Sequence, residues 1–255
     1  MITVKEKLEE KNIVIGTFSK FSSPVATEML GYIGFDFVIL DMEHSALDYS
    51  QAEDLIRAGE AAGISTVIRV PGIEENPLLR VLDSGVQGVQ APGVDTAEMA
   101  KKVVEASRYR PIGKRGLSFS TRAAGYTLKN KEQHLSDSLK KQLVVVQIES
   151  KEAVENLEAI AEIKGIDVLF LGPGDLSNSY GIPGQVDHPL VQEALKKLTR
   201  VALENGKVAG TFVSNHEQAL RAIGDGVRYL VYDNDVAFFA RGAKAVLDDL
   251  NTSIG

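Results

Sequence analysis

Carboxylates stand at the ends of two apolar runs in this 255-residue chain, where they could hold a metal ion. Glu149 closes the run Leu143–Glu149, and Asp175 follows the run Asp167–Gly172. If the runs are neighbouring strands, the two carboxylates lie at equivalent heights and can converge on one cation. Oxygen ligands favour a hard divalent ion such as Mg²⁺ or Mn²⁺ over zinc. The alternative that Glu149 caps the helix beginning near Ser150 and Asp175 caps a turn stays open.

His44 and Arg69 are candidates for proton transfer and for anion binding. His44 follows a predicted strand, where an imidazole that titrates near neutral pH could act as a general base. A surface histidine bonded to the backbone is the competing interpretation. Arg69 ends an otherwise apolar run, and its guanidinium must meet a structural carboxylate or a substrate carboxylate or enolate. The remaining polar residues at these strand ends are Asp41, Glu43 and Gln147.

Composition excludes several classes of protein. The chain has 35 Asp+Glu against 28 Lys+Arg, and its net charge of -7 argues against nucleic acid as a partner. Because it has no Cys, disulfides, zinc ribbons, iron–sulfur clusters and cysteine nucleophiles are excluded. Its first residues mix both charges, unlike a signal peptide, and no apolar run reaches the ~18 residues of a membrane span. We expect a soluble cytoplasmic protein without a membrane partner.

Eight short apolar runs alternate with eight helical patterns. Near-continuous apolar strands are typical of a parallel sheet that is covered on both faces. Eight such alternations favour a single (β/α)8 TIM barrel over an open doubly wound sheet, and we predict one domain over residues 1–255. The predicted strands are Ile13–Phe18, Asp36–Met42, Ser65–Val70, Val86–Ala91, Leu143–Glu149, Asp167–Gly172, Lys207–Val213 and Arg228–Tyr232.

One connection is unusually long. More than thirty residues separate the fourth and fifth strands, at about 109–142, and they include a polar helical pattern at Asn130–Lys141. Long loops in compact domains are usually lids or insertions with a function. The three histidines outside the strand ends, His134, His188 and His216, are expected to be exposed or to cap helices.

Five sequence blocks resemble the HpcH/HpaI aldolases, which are metal-dependent class II pyruvate aldolases. Their order and spacing agree from Gly16 to about Leu250. The blocks are Phe37-Val-Ile-Leu-Asp-Met-Glu-His44, Val67-Ile-Arg-Val-Pro71, Arg108-Tyr-Arg-Pro-Ile-Gly-Lys-Arg-Gly116, Val146-Gln-Ile-Glu-Ser150 and Gly172-Pro-Gly-Asp-Leu-Ser177.

The resemblance implies a barrel of the phosphoenolpyruvate/pyruvate-binding type, with its last helix exchanged between subunits in a homohexamer built as a trimer of dimers. It implies reversible cleavage of a 4-hydroxy-2-oxo acid, such as 4-hydroxy-2-oxoheptanedioate or a 2-keto-3-deoxy sugar acid, to pyruvate and an aldehyde. The reaction passes through a metal-stabilised pyruvate enolate, and the pathway would be aromatic or sugar-acid catabolism.

The resemblance also assigns roles to residues. Glu149 and Asp175 match the ligands of a Mg²⁺, Mn²⁺ or Co²⁺ ion. His44 matches the catalytic histidine, Asp83 its acidic partner, and Arg69 the arginine that steadies the enolate. Pattern alone would not select Asp83, which ends a predicted helix. Three further residues are expected to bind the substrate, namely Gln147, Gly172 and Gly174.

The sequence departs from the common family pattern in three places, and the first, Met42 and Gly174, is expected to affect little because the family varies there. The other two departures are segments. They are the loop Gly116–Gly125 and the turn Tyr232-Asp-Asn-Asp235, and both are expected to border the substrate mouth and to bear on the choice of aldehyde. Three other functions fit the same barrel. These are oxaloacetate decarboxylation, cleavage of citramalyl- or malyl-CoA, and binding of an oxo acid without turnover. A base beside the metal argues against binding without turnover, and a CoA-using enzyme would be expected to carry extra basic residues for the nucleotide. Oxaloacetate decarboxylation is expected as a side activity, so we rank the aldolase first.

Overall fold

Eight parallel strands form a closed barrel in the computed structural model, which describes residues 2–10 and 12–254. Each strand pairs with the next along the chain, and β8 pairs with β1 to close the barrel. The predicted (β/α)8 barrel is therefore confirmed. The strands are β1 (Val14–Ser19), β2 (Phe37–Asp41), β3 (Ser65–Arg69), β4 (Gly88–Ala91), β5 (Leu143–Ile148), β6 (Val168–Leu171), β7 (Val208–Val213) and β8 (Tyr229–Asn234).

Helices surround the barrel and return the chain to the amino-terminal end of each next strand. They are α1 (Val4–Glu9), α2 (Pro24–Ile33), α3 (Tyr49–Ala62), α4 (Glu75–Asp83), α5 (Ala97–Ser107), α6 (Lys131–Lys141), α7 (Lys151–Glu155), α8 (Leu157–Ala161), α9 (Pro173–Ser179), α10 (Pro189–Glu204), α11 (His216–Gly224) and α12 (Asp235–Ile254). The helix predicted after β5 is two short helices that meet at Asn156, whose side chain donates to the carbonyl of Asp95.

Large rings fill the barrel interior and small residues make room for them. The rings of Phe37 and Tyr229 stack with their centroids 4.4 Å apart, and Phe170 meets Tyr229 edge-on. A Cβ added to Gly16 would collide with the ring of Phe37. Because protein interiors are packed as densely as organic crystals, β1 requires a glycine at this position.

The two mouths of the barrel differ. Helix α1 lies at the amino-terminal mouth, where buried Val4 and Leu8 belong to the same apolar cluster as the barrel interior. This helix was not predicted from the sequence. The carboxyl-terminal mouth is bounded by the loops that follow the strands, which is where barrel enzymes place their active sites.

The long connection between β4 and β5 contains the predicted helix, α6, and Asn130 caps it. The expectation that His134 is exposed or caps a helix is wrong. Its ring is buried, its Nε2 lies 3.1 Å from the hydroxyl of Tyr109, and burial lowers its pKa. His188 does cap α10, since its Nδ1 accepts from the backbone N–H of Leu190.

Helix α12 extends largely exposed from the end of β8 and carries apolar side chains that stay accessible to solvent, although the ring of Phe239 meets that of Phe21 edge-on. Exposed residues on it include Phe239, Val246, Leu247 and Ile254. Across the described parts of the chain, every helix is too short or too polar to cross a membrane.

Candidate active site at the carboxyl-terminal mouth

Arg69 and Asp41 form a two-fold hydrogen-bonded ion pair at the ends of neighbouring strands. The two residues are register partners in the β2–β3 ladder, so their side chains point to the same face. Nε and Nη2 of Arg69 donate to the two carboxylate oxygens of Asp41 at 2.9 and 2.7 Å. Nη1 of Arg69 lies 3.2 Å from Glu43. The sequence predicts that the Arg69 guanidinium meets an anion. That anion is the carboxylate of Asp41 in the same chain.

The surroundings of Asp41 keep it ionised. Burial alone would raise its pKa, but the hydrogen bonds and charge of Arg69, with the backbone N–H of His44, hold the pKa below its ordinary value. The backbone N–H groups of Glu43 and His44 both donate to Oδ1 of Asp41 at 3.1 Å. These bonds fix the start of the β2–α3 loop.

His44 lies beside this ion pair and faces solvent. Its side chain is 56% exposed, and its Nε2 is 3.9 Å from a carboxylate oxygen of Glu43. Burial raises the pKa of Glu43 against the opposing effect of Arg69. The imidazole is therefore accessible to a ligand. The carboxyl group beside it belongs to Glu43, the preceding residue in the chain.

Glu149 follows β5 and points toward the neighbouring loop, the one after β4. Its Oε1 accepts from the backbone N–H of Gly93 at 2.6 Å, and its Oε2 accepts from Nε2 of Gln147. Ser150, not Glu149, caps the following helix. Burial, with the negative charge of Asp175, raises the pKa of Glu149 to about 7 despite these two hydrogen bonds.

Asp175 lies in the first turn of α9, on the loop after β6, and is exposed. Its carboxylate accepts no hydrogen bond from any residue in the described ranges, so it does not cap a turn there. Nearby Gly172 is needed for space, because a Cβ would come within 2.7 Å of Oε2 of Glu149. Gly174 borders open space on the described surface.

A buried pair of amides supports Glu149 from inside the barrel. Nε2 of Gln90, on β4, donates to Oε1 of Gln147 at 2.9 Å. Because the Gln147 oxygen is occupied in this way, its amide nitrogen is turned toward Glu149. Gln90 was not selected from the sequence, because a single glutamine in an apolar strand does not by itself indicate a functional role.

An open cavity of about 180 Å³ connects these groups. Arg69, Gln147, Glu149 and Asp175 line it, and so do residues that were not named as site candidates from the sequence, among them Phe18, Lys20, Phe212 and Asn234. Their position at or just past the ends of β1, β7 and β8 was the signal that could have identified them. The turn that contains Asn234 borders this mouth, as predicted.

Asp83 lies elsewhere in the chain. It is the last residue of α4, at the amino-terminal mouth, and its Oδ1 accepts from Nη2 of Arg115 at 2.8 Å. Within one chain it therefore does not contact His44, contrary to the role expected from the resemblance. Helices run antiparallel to the strands, so residues at their carboxyl ends lie at the opposite mouth.

The loop 116–125 is also at the amino-terminal mouth, so the expectation that it borders the substrate mouth is wrong for a single chain. Arg122 in this loop donates to the carbonyl of Ser84 and to Glu60. A larger cavity, of about 490 Å³, lies here between Arg115, Arg122 and His134. It is remote from the strand ends that carry Glu149 and Asp175.

The donor set at the carboxyl-terminal mouth fits a hard divalent cation. Glu149 and Asp175 line one cavity, and their mutual repulsion contributes to the raised pKa of Glu149, which a cation would reverse. Among the described residues, no group of three or more His, Cys, Asp or Glu side chains could hold a metal. Two carboxylates with the remaining positions open to water and substrate suit Mg²⁺ or Mn²⁺.

Known proteins resemble this chain over nearly its whole length. A model of the HpcH/HpaI aldolase/citrate lyase family matches residues 14–238. The 5-keto-4-deoxy-D-glucarate aldolase of Shigella dysenteriae serotype 1 (strain Sd197) is 34% identical over 244 residues, 96% of this chain and 94% of that protein.

Solved structures agree with the sequence relatives. The HpcH/HpaI aldolase from Desulfitobacterium hafniense DCB-2 has a TM-score of 0.90 and 30% identity, over 96% of this chain and 97% of that one. The citrate synthase SbnG has a TM-score of 0.90 and 28% identity, over 99% of both chains. The match to the family model therefore spans every strand of the barrel.

Proposed function

The chain belongs to the HpcH/HpaI aldolase/citrate lyase family and is an aldolase, and from this premise we propose its substrate class and the roles of its residues. As a carbon–carbon lyase, it cleaves a 4-hydroxy-2-oxo acid to pyruvate and an aldehyde. We propose a sugar diacid of the 5-keto-4-deoxy-D-glucarate type as substrate, because that compound names relatives that align with 96% of this chain. Cleavage of this six-carbon diacid would release pyruvate and 2-hydroxy-3-oxopropanoate.

The observation that carries this proposal is the shared cavity of Arg69, Gln147, Glu149 and Asp175. Glu149 and Asp175 would hold Mg²⁺, Mn²⁺ or Co²⁺. When bound, such an ion supplies Lewis-acid stabilisation of the negative charge that develops on the 2-oxo oxygen. Gln147, whose amide is oriented by Gln90, holds the Glu149 carboxylate in place. The backbone of the Gly172–Gly174 turn would border the bound oxo acid.

Arg69 would stabilise the pyruvate enolate. Its two hydrogen bonds to Asp41 fix the plane of the guanidinium before substrate arrives, so little reorganisation is needed when charge develops. The ring of Phe18 covers one face of the guanidinium at 4.6 Å, which excludes water from that side. Removal of one such preorganised donor costs about 10²–10³-fold in turnover in other enzymes.

His44 would act as the general base. In the cleavage direction it takes the proton from the C4 hydroxyl, the C4 carbonyl forms, and the C3–C4 bond breaks to leave the enolate, which is then protonated at C3. Such help is typically worth about 10²–10⁴-fold. In the other direction the same histidine would return the proton to the new hydroxyl.

We further propose that the chain works as a homo-oligomer, a hexamer built from dimers, with α12 exchanged between copies. Two sets of observations support this. Apolar Val246, Leu247 and Ile254 on α12 are exposed in a single chain, and patches of this kind usually mark interfaces. Asp83, the expected partner of His44, lies at the far mouth, so it could reach His44 only from a second copy.

Light scattering of Leu247→Ser measures this assembly. We expect a smaller particle than the wild type, whereas Lys244→Ser, on the same exposed helix, should leave the mass unchanged. A wild-type protein that is monomeric at micromolar concentration contradicts the proposed assembly.

Release of pyruvate from 5-keto-4-deoxy-D-glucarate, with and without EDTA, tests the proposed activity. We expect EDTA to abolish pyruvate release and Mg²⁺ or Mn²⁺ to restore it. Turnover that resists the chelator would contradict the roles of Glu149 and Asp175. We expect the Arg69→Ala variant to stay folded and to lose most of its turnover. A near-normal kcat/KM in this variant would contradict the role of Arg69.

A further inference from the structure

Lys20 is a cation of the active-site cavity that the proposed mechanism does not use. It follows β1 directly, it lines the cavity with Arg69 and Glu149, and its side chain is 33% exposed. Its Nζ makes no hydrogen bond within the described parts of the chain. An ammonium group has three donors, so Lys20 presents unused donors to whatever occupies the cavity.

The carboxylate nearest to Lys20 belongs to Asp41, and other groups already bind it. Nζ lies 3.6 Å from Oδ2 of Asp41, beyond hydrogen-bond distance. Asp41 already accepts two hydrogen bonds from Arg69 and two from backbone N–H groups, three of them on Oδ1 and one on Oδ2. The charge of Lys20 also lowers the pKa of Asp41, but it contributes less than Arg69 and the backbone N–H of His44. Lys20 is therefore not required as a structural counter-ion.

The position of Lys20 separates it from the metal end of the cavity. In a closed barrel of eight strands in sequence order, β1 lies opposite β5. The backbone of Lys20 therefore lies on the side of the mouth opposite the strand that leads to Glu149, and its Nζ lies beside Asp41, the partner of Arg69. The rings of Phe18 and Phe212 line the same cavity, with their centroids 6.1 Å apart. A substrate whose oxo-acid end lies at Glu149 points its other end toward Lys20.

The backbone at Lys20 is held in place by a buried carboxylate. Asp235, at the start of α12, accepts from the backbone N–H groups of Lys20 and Phe21 at 2.9 and 3.0 Å, and from the hydroxyl of Ser19 at 2.8 Å. Asn234, the other polar residue on this side, uses its amide groups on Asp233 and on the N–H of Ala237. The backbone of Lys20 is thus fixed, and among the described lining residues on this side its ammonium group is the polar group that makes no hydrogen bond.

We infer that Lys20 binds a carboxylate at the far end of the substrate and so selects aldehydes that carry one. The inference rests on the proposed aldolase function and deepens it. No covalent step is involved, because the ammonium group donates hydrogen bonds to the carboxylate that leaves with the aldehyde half. A neutral hydroxymethyl group at that position would gain much less from the same contact.

A matched pair of aldehydes tests the inference in the synthesis direction. Pyruvate is condensed with 2-hydroxy-3-oxopropanoate or with glyceraldehyde, which replaces the carboxylate by a hydroxymethyl group. The measured quantity is the ratio of kcat/KM for the two aldehydes in the metal-loaded oligomer. For Lys20→Met we expect this ratio to fall by about 10- to 100-fold, chiefly through the KM of the carboxylate aldehyde.

Three further variants make the result specific. Lys20→Arg keeps the charge and should retain most of the ratio, and Lys20→Gln provides a second neutral variant whose fold is checked by circular dichroism. Lys101→Met, an exposed lysine on α5, should keep the wild-type ratio. A Lys20→Met or Lys20→Gln ratio within about twofold of the wild type overturns the inference while the aldolase function stands. A wild type that condenses neither aldehyde overturns both.

Discussion

The guanidinium of Arg69 and the carboxylate of Asp41 meet through two parallel hydrogen bonds at the ends of β3 and β2. Both side chains are buried, and Asp41 also holds the N–H groups that start the β2–α3 loop. One ion pair therefore orients the arginine that faces the substrate and anchors the loop that carries His44. The same contact has consequences for stability and for catalysis.

Asp41→Asn should destabilise the protein by about 3–5 kcal/mol, because it leaves Arg69 as a buried charge with a poorer partner. Urea unfolding measures the free energy. The matched control is Asp54→Asn, which removes an exposed carboxylate 3.1 Å from Arg57 and should cost at most about 1 kcal/mol. Equal costs for the two variants would contradict the buried role of Asp41.

The contribution of Asp41 should depend on pH. Its pKa in the folded protein lies below the ordinary value of 3.8, so its stabilisation is complete above about pH 4 and is lost as the pH falls through the folded pKa. The difference in unfolding free energy between wild type and Asp41→Asn should stay constant from pH 7 to about pH 5 and shrink below pH 4. If this difference grows as the pH falls, the lowered pKa of Asp41 is contradicted.

Gln90→Leu should lower kcat/KM by about tenfold or more without unfolding the protein, because the Gln147 amide loses the partner that sets its orientation. The variant should also weaken Mn²⁺ binding, measured by calorimetry, since Gln147 supports Glu149. Thr211→Val removes another buried hydrogen bond, to the carbonyl of Leu171, and serves as the control. Unchanged Mn²⁺ affinity in Gln90→Leu would show that the amide pair is only structural.

Metal affinity should fall as the pH drops below neutrality. The pKa of Glu149 in the metal-free protein is about 7, and a protonated carboxyl cannot bind the ion. Below pH 7 we expect about a tenfold loss of Mn²⁺ affinity per pH unit, and above it little change. In the metal-free Asp175→Asn variant the pKa of Glu149, followed by NMR titration, should be lower, because the charge of Asp175 is one cause of the raised value. A pH-independent affinity would contradict protonation of Glu149.

Gly16→Ala should cost about 1–3 kcal/mol in unfolding free energy, because the added methyl group overpacks the barrel against the ring of Phe37. Gly224→Ala is the matched control. No described atom lies within 4 Å of the position of its Cβ, and alanine is the better helix former. Chemical denaturation of both variants compares them directly, and a neutral Gly16→Ala would show that the interior has spare room.

The amino-acid sequence determined the eight strands, the closed barrel and the rim on which most candidate site residues lie. Strand and helix signals are local, since apolar runs, caps and stop residues act within a few positions. Once the strands are parallel and neighbours in order, residues at their carboxyl ends must share one mouth. For this reason Arg69, Gln147, Glu149 and Asp175 could be brought together without coordinates.

Tertiary structure alone decided which of these groups contact one another and which residues stand apart from them. The loop 116–125 lies at the opposite mouth because Arg122 bonds to Ser84 and Glu60 there, whereas the place of Asp83 follows from its position at the end of a helix that the sequence predicts. Lys20 and Gln90 enter the site through contacts with residues 215 and 57 positions away in the chain. Contacts at such separations depend on how strands close and loops pack, and no local pattern of residue types encodes them.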